Sequence, residues 1–360
     1  GGSQDLTTDG SCLTLHARSA VLTGEWNPLG YEHWEEFKIS LITGVSYLVF
    51  TLAGTSLFTQ NLVGVMLSFA ALALFVIALS RFLAPRTLFV VTFLLAADFL
   101  LWLFGRLPFA ENAVLLFAAA TFFVFTFWYD RFWGKLLIGA LVACCGLFGK
   151  SFGFLIVAGP LTFALVERRK QLRQTLAALL APIGVGLVLY SILVSGKSGL
   201  VAFIWQHAAG EHGYPYGLLS PIHYFEKLVT FANNDLFTYA PVIGILAFFL
   251  LVRTLFSSEK NESEKRLISY MAGWTAIWIL LVSPFNYLPA RYVYILLFPL
   301  CALAGLEIES IGRQGSRRPP TLVWWRVGGL IILNWMFAYY AAIFPFMSTK
   351  SPQSIFRAAW

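Results

Sequence analysis

The sequence predicts an all-α membrane protein, a polytopic bundle of helices that crosses the bilayer many times. Its 360 residues are 58% hydrophobic and only 12% charged, with a mean hydropathy of +0.74, whereas soluble chains carry roughly a quarter charged residues. Apolar runs of about 20 residues, long enough to span a bilayer, recur along nearly the whole chain. Alternating segments of about ten residues, typical of an outer-membrane barrel, do not occur. The spanning segments are therefore helices, because lipid offers no hydrogen-bond partner to backbone N–H and C=O groups that are left unpaired.

About ten apolar runs predict the transmembrane helices. They cover residues 62–80, 88–105, 112–129, 136–148, 152–166, 175–194, 236–252, 267–283, 291–306 and 322–345. The run from 39 to 58 is also apolar, but a crossing there would place the N-terminal segment on the wrong side of the membrane. We therefore expect this run to be re-entrant or to lie along the outer surface. The four cysteines, Cys12, Cys144, Cys145 and Cys301, fall mostly inside apolar runs and are interpreted as small core residues.

Basic residues concentrate in alternate connections, and their placement matters more than the net charge of +7. The positive-inside rule puts these short loops in the cytoplasm, and no nucleic-acid partner is expected. They hold most of the 25 lysines and arginines, namely Arg81, Arg86, Arg131, Lys135, Arg168, Arg169, Lys170, Arg173, Arg253, Lys260, Lys265, Arg266, Arg313, Arg317, Arg318 and Arg326. The other connections are therefore external.

This alternation divides the chain into three parts. Residues 1–60 are expected to form an external first loop, with the transmembrane helix that would precede it absent from this chain, since the first 38 residues hold no span. Residues 61–308 form the transmembrane core, which includes a long external loop at 196–234. Residues 309–360 comprise a cytoplasmic loop, a last transmembrane helix and a short external tail.

Charged residues at the external ends of spans are the candidate site residues, because charge is costly at a bilayer. They are Asp9, Lys38, Arg106, Glu111, Lys150 and Arg291. Each has a simpler explanation alone: a basic side chain at a helix end extends to the interface, and a carboxylate at a helix start stabilises the helix dipole. Their joint occurrence on one face favours a site. Asp98 lies inside a span, where it either pairs with a neighbouring helix or faces a polar cavity.

The long external loop supplies a second group of candidates. All five histidines fall in the two long external segments, and the stretch after residue 206 adds tyrosines. This composition suits a cover over a site or a sugar-binding surface, and equally an interfacial aromatic belt. The substrate-loop candidates are His207, His212, Tyr214 and Tyr216.

Five short motifs occur in order between residues 8 and 308. They are the stretch from Asp9 to Arg18, Glu36-Phe37-Lys38-Ile39-Ser40 before a run ending in Leu52-Ala53-Gly54, the turn from Arg106 to Glu111, Gly149-Lys150-Ser151-Phe152-Gly153, and Pro289-Ala290-Arg291-Tyr292. Together they resemble motifs of the GT-C glycosyltransferases, in the glycosyltransferase family 39 group that includes the aminoarabinose transferases of lipid A and the protein O-mannosyltransferases. Gly10 departs from the family's usual glutamate, and Ile39-Ser40 from its two prolines.

The resemblance implies a GT-C fold with juxtamembrane helices in the first external loop. It also implies transfer of a sugar from a polyprenyl-phosphate donor to a lipid, glycan or protein acceptor, on the periplasmic or outer face of the inner (plasma) membrane. Asp9 would then accept the acceptor's proton, and Glu111 would hold Arg106 or share the base role. The cations Arg106, Lys150, Lys38 and Arg291 would stabilise the departing phosphate. In-line displacement predicts inversion at the anomeric carbon.

Two questions stay open at the level of sequence. No metal ligands are identified, and a divalent metal is a candidate cofactor rather than an expected one, because Gly10 stands where an acid might have been. The alternatives to a glycosyltransferase are a lipid or sugar transporter or flippase, and a family member that binds without catalysing. The identities of the sugar and the acceptor do not follow from the sequence.

Overall fold

The structure is a computed structural model that describes residues 6–26, 39–167, 172–193, 221–231, 241–256, 262–282 and 291–314, together with 328–329, 332–334 and 336. Every regular element among these residues is helical. In chain order the helices are α1 Leu6–Thr23, α2 Leu41–Ala53, α3 Leu57–Leu79, α4 Pro85–Ala96, α5 Phe99–Gly105, α6 Ala110–Trp128, α7 Phe132–Cys144, α8 Ala158–Glu167, α9 Leu172–Leu193, α10 Pro221–Thr230, α11 Pro241–Phe256, α12 Glu262–Val282, α13 Arg291–Tyr294 and α14 Leu297–Gln314. A π-helical turn, Cys145–Gly149, extends α7, and a 3-10 segment, Ser151–Val157, leads into α8.

Four of the described helices are long and apolar enough to cross a membrane. These are α3, α6, α7 with its π-helical turn, and α9. Their outer faces carry large apolar side chains; Phe69 of α3 and Ile192 of α9 are 70% and 66% exposed, as suits contact with lipid. The all-helical prediction is therefore confirmed for the described residues. The count of about ten spans stays a prediction, because several other apolar helices have only 10–17 residues.

The core of the bundle surrounds the segment from Val293 to Ala304. Almost every apolar side chain in this segment is fully buried. Helix α14 contacts α4, α11 and α12, while α3 packs on α6, and α7 packs on α9. Phe298 stacks 4.5 Å from Phe75 of α3, which in turn lies 5.4 Å from Phe122 of α6. The segment thus joins the helices that approach it from several sides.

The predicted span 88–105 is wrong as a single helix, because it divides into α4 and α5. Asp98 interrupts it: the buried carboxylate accepts a hydrogen bond from the Leu100 amide at 2.8 Å and so caps α5. Asn334 approaches the same carboxylate. The structure shows Asp98 as the cap of α5, and the choice between pairing with a neighbouring helix and facing a polar cavity stays open.

The predicted span 291–306 is also divided, into α13 and α14. Pro299 lies in the first turn of α14. Proline has no amide hydrogen, and its ring clashes with the carbonyl four residues earlier, here that of Ile295. The chain therefore turns at Ile295 and Leu296 before the helix resumes.

The apolar run 39–58 forms α2 and the start of α3. Ser40 caps α2, and Gly54, with φ of 79°, ends it after 13 residues. At 1.5 Å per residue this helix is about 20 Å long, short of the roughly 30 Å hydrocarbon core. It packs on α1, where the Thr43 hydroxyl donates to the Leu13 carbonyl at 2.7 Å. Helix α2 is therefore shorter than the hydrocarbon core, and the expectation that this run does not cross stays a prediction.

Gly153 allows the 3-10 segment to pack directly on the π-helical turn. A Cβ at this position would lie 2.6 Å from the Cys145 Sγ and 2.7 Å from its carbonyl oxygen. We expect Gly153→Ala to lower the free energy of unfolding by about 1–3 kcal/mol through overpacking. Thermal unfolding of the purified chain in detergent, followed by circular dichroism, measures this effect.

Gly184 in α9 provides the matched control, since a Cβ there meets nothing within 4 Å. Gly184→Ala should leave the unfolding temperature unchanged or raise it slightly, because alanine favours a helix by about 1 kcal/mol over glycine. Equal unfolding temperatures for the two variants would contradict the packing described for Gly153.

Candidate functional site

A cavity of about 160 Å³ lies at one end of the bundle, here called the site end. The start of α6, the π-helical turn after α7, the end of α9 and one residue of α1 enclose it. Its lining residues are Leu13, Phe109, Ala110, Glu111, Gly146, Leu147, Gly149, Lys150, Ser151 and Tyr190. The opposite end, where α6 finishes and α7 and α9 begin, holds a larger cavity with several basic side chains and is called the basic end.

Glu111 and Lys150 form an ion pair in the site cavity. The Lys150 Nζ lies 3.1 Å from the Glu111 Oε1, and the two side chains are 29% and 1% exposed. Glu111 belongs to the first turn of α6, where the helix dipole favours a negative charge. Removing charges from water is costly, so an ion pair with a buried carboxylate in an apolar bundle is a candidate functional site.

The π-helical turn sets the position of Lys150. The Lys150 amide donates to the Cys145 carbonyl at 3.1 Å, and the Lys150 backbone is then extended, with φ of −158° and ψ of 151°. The 3-10 segment starts at once, since the Gly153 amide donates back to the Lys150 carbonyl. The ammonium group lies 5.0 Å from the Phe152 ring and 5.2 Å from the Tyr292 ring, distances at which aromatic faces attract a cation.

Asn112 fixes the turn between α5 and α6. Its side-chain amide donates to the carbonyls of Phe104 and Leu107 at 3.0 and 2.6 Å, and its Oδ1 accepts a hydrogen bond from the Tyr294 hydroxyl at 2.8 Å. Asn112 is fully buried. It therefore holds the first turn of α6, and with it Glu111, against α5 and α13.

The expectation that Glu111 holds Arg106 is wrong. Glu111 pairs with Lys150, while the Arg106 guanidinium stacks over Trp102 at 4.2 Å. Trp102 is 58% exposed. Arg106 ends α5, one turn from its stacking partner, so sequence proximity to Glu111 does not translate into contact. The buried Arg106 Nε has no hydrogen-bond acceptor among the described residues.

The positions of Asp9 and Arg291 are described from their backbone. Asp9 lies in α1, one helical turn before Leu13, which lines the site cavity. Arg291 begins α13 and precedes Tyr292, whose ring lies beside the Lys150 ammonium. The site end thus gathers α1, the α5–α6 turn, the π-helical turn and α13. The other candidates, Lys38, His207, His212, Tyr214 and Tyr216, lie outside the described residues.

Three residues at this end were not predicted from the sequence. Asn112, Tyr292 and Tyr294 each follow a predicted charged residue by one to three positions. Their adjacency to Glu111 or Arg291 is the sequence feature that could have identified them. His16, by contrast, is buried and bonds through Nδ1 to the Trp26 carbonyl at 2.8 Å, so it ties down the end of α1.

The structure shows whether the described residues could bind a metal ion. Within the described part of the chain, no group of three His, Cys, Asp or Glu side chains could hold a metal ion. The charge available in the described site is instead that of the Lys150 ammonium and, outside the cavity lining, the Arg106 guanidinium. Both can bind an oxyanion, Lys150 as a compact charge and Arg106 through two parallel donors.

The Glu111–Lys150 pair can be tested by a double-mutant cycle. Lys150→Met deprives a buried carboxylate of this partner and should lower the free energy of unfolding by about 3–5 kcal/mol. The double variant Glu111→Gln/Lys150→Met should recover part of the loss, giving a coupling of about 1–3 kcal/mol. Thermal or denaturant unfolding in one detergent measures all the variants.

Lys265 supplies the control. Its pair with Glu262 has the same 3.1 Å length but is exposed, at 50% and 93%. The coupling across that pair should be at most about 0.5 kcal/mol. Similar couplings for the two pairs would show that burial adds nothing to the Glu111–Lys150 interaction.

Comparison of the chain with protein-family models, with curated proteins and with solved structures found no match. The function proposed below therefore depends on the residues of the site end and on the motif resemblance described above.

Proposed function

We propose that this protein is a GT-C-type glycosyltransferase that moves a sugar from a polyprenyl-phosphate donor to an acceptor hydroxyl or amine. The observation that carries the proposal is the buried Glu111–Lys150 pair, in a cavity that α1, the helix of Asp9, helps to line. A fixed ammonium beside an apolar bundle suits a ligand with a phosphate group and a hydrophobic tail. The motif resemblance described above supplies the reaction class.

The reaction is a single displacement. The acceptor oxygen or nitrogen forms a bond to the anomeric carbon, and the bond from that carbon to the phosphate oxygen breaks. The bonding electrons leave with the polyprenyl phosphate, while the acceptor's proton passes to the Asp9 carboxylate. Attack opposite to the departing phosphate inverts the anomeric configuration.

Lys150 and Arg106 have different parts in this proposal. Lys150, held by Glu111 and by two aromatic rings, is preorganised to stabilise the charge that develops on the leaving phosphate. Arg106, stacked on the exposed Trp102, lies where a lipid phosphate would arrive from the bilayer. Arg291 adds a third cation at α13. Glu111 is a positioning residue for Lys150, and Asp9 is the base.

The site end is proposed to face the periplasm or exterior of the inner membrane. Four basic side chains from three connections, Arg81, Lys135, Lys265 and Arg266, line the cavity at the opposite end, and the positive-inside rule assigns that end to the cytoplasm. Helix α6, with 19 residues, separates the two ends by about 28 Å, close to the thickness of the hydrocarbon core.

A transporter or flippase is the second candidate, and interrupted helices favour it. The break at Asp98 and the π-helical turn before Lys150 resemble the discontinuous helices that bind substrates in secondary transporters. Such a protein would carry the same anionic lipid across the membrane without cleaving it. The two candidates differ in whether polyprenyl phosphate is released.

Turnover of labelled donor tests the catalytic assignment. Purified chain in liposomes, given polyprenyl-phosphate aminoarabinose or mannose and an acceptor extract, should release polyprenyl phosphate. Asp9→Asn should reduce this rate by about 10²–10⁴-fold through loss of the base, and Lys150→Gln by about 10²–10³-fold through loss of charge stabilisation. Lys265→Gln, at the basic end, should retain the parent rate.

The same assay separates the alternatives. Donor that crosses the liposome membrane intact would favour a flippase. If folded Asp9→Asn and Lys150→Gln released product as fast as the parent, the catalytic assignment would fail. An unfolding temperature for each variant shows that it is folded.

Orientation can be tested independently by cysteine labelling in intact cells. Thr23 ends α1 and Ser263 lies in the first turn of α12, and both are exposed. A membrane-impermeant maleimide added outside should label Thr23→Cys above the parent background and leave Ser263→Cys unlabelled until the cells are opened. The reverse pattern would put the site end in the cytoplasm and exclude a periplasmic or external reaction.

A further inference from the structure

The cavity at the basic end has no part in the proposed reaction. Its volume is about 1010 Å³, and it lies among the ends of α3, α6 and α8 and the starts of α7, α9 and α12. Four cationic and two carboxylate side chains line it: Arg81, Lys135, Lys265 and Arg266, with Asp130 and Glu262. The cavity therefore carries an excess of positive charge.

The two carboxylates are already paired. Asp130 accepts two hydrogen bonds of 3.3 Å from the Arg266 guanidinium, and Glu262 lies 3.1 Å from the Lys265 ammonium. Arg81 and Lys135 have no carboxylate partner among the described residues. The excess charge is thus located on Arg81 and Lys135.

Aromatic rings hold the cations in place without neutralising them. The Arg81 guanidinium lies over the Phe127 ring at 4.9 Å, and the Lys135 ammonium lies 5.3 Å from the Tyr129 ring while donating to the Thr175 hydroxyl at 3.0 Å. These contacts limit the entropy that the side chains lose when an anion binds.

The Arg266 guanidinium is held more tightly still. It lies among the rings of Phe125, Tyr129 and Phe163, at 5.0, 5.4 and 5.3 Å. Its buried Nε has no acceptor among the described residues. Arg266 therefore keeps donor capacity after pairing with Asp130.

The surroundings of the cavity identify the kind of anion. Trp133 and Val166 lie at the same helix ends and are 76% and 67% exposed, as expected for side chains at the level of lipid headgroups. An anion that contacts both the cations and this apolar rim would need hydrocarbon chains as well as charge. We propose that the basic-end cavity binds a phosphate group, and that the phosphate is the headgroup of an anionic phospholipid such as phosphatidylglycerol.

Native mass spectrometry of the full chain tests this proposal. Protein in micelles with equal amounts of phosphatidylglycerol and phosphatidylcholine should retain phosphatidylglycerol preferentially. Arg81→Gln/Lys135→Gln should weaken that binding by about 30-fold, since each basic residue near the surface strengthens attraction to anionic lipid by about fivefold.

A matched double variant controls for charge. Arg86 and Arg173 are exposed at the same end of the bundle and do not line the cavity. Arg86→Gln/Arg173→Gln removes the same charge and should bind phosphatidylglycerol nearly as well as the parent. Equal losses in the two double variants would show diffuse attraction to a basic surface and would overturn the site.

Inorganic phosphate tests whether the bound phosphate group belongs to a lipid headgroup or to a soluble compound. At about 10 mM it should leave phosphatidylglycerol retention almost unchanged, because it lacks the chains that contact the apolar rim. Displacement of the lipid by phosphate, lost in Arg81→Gln/Lys135→Gln, would assign the cavity to a soluble phosphate compound and overturn the lipid headgroup. Unchanged unfolding temperatures establish that both double variants are folded.

Discussion

The ion pair between Glu111 and Lys150 is the interaction on which the architecture of the site end depends. A carboxylate that is 1% exposed needs a partner, because an uncompensated buried charge costs several kcal/mol. That partner comes from a different helix. The first turn of α6 and the π-helical turn after α7 must therefore keep a fixed position relative to each other. Asn112 secures the first of these and the close packing at Gly153 secures the second. Asn112 and Gly153, which are not members of the pair, are thus required for its geometry.

The central segment connects this end to the rest of the bundle. Tyr292 flanks the Lys150 ammonium and Tyr294 bonds to Asn112, while the far end of α14 places Glu307 at 3.0 Å from the Arg253 guanidinium. One nearly continuous buried element therefore contacts the site end and reaches toward the basic end. The turn at Ile295 and Leu296 separates the first part of this element, which carries the two tyrosines, from α14, which fills the core.

Hydropathy predicted some elements well and others poorly, for physical reasons. The runs 62–80, 112–129 and 175–194 became α3, α6 and α9 with small shifts at their ends, because burial from water is a property of each residue type. The break at Asp98 depends on a hydrogen bond from the Leu100 amide to the Asp98 carboxylate, and hydropathy does not record such a bond. The partner of Glu111 was missed because it is 39 positions away, whereas the expected partner, Arg106, is on the preceding turn. Lys150 was identified from the sequence because a cation between two apolar runs is rare enough to be informative, and its role in a site stays a prediction.

Under the two proposals above, the two ends of the bundle would bind phosphate differently. At the site end a single carboxylate compensates the one ammonium in a cavity of about 160 Å³, so bulk anionic lipid gains little there, and a ligand must fit the cavity to benefit. At the basic end the cations outnumber the acids in a cavity about six times larger, which suits a common lipid held by charge and an apolar rim. In these proposals the asymmetry would keep abundant phospholipid out of the small cavity and would hold the opposite end at the headgroup layer. The proposed lipid-linked donor, which is scarce, would then compete for Lys150 through its shape and not through its charge alone.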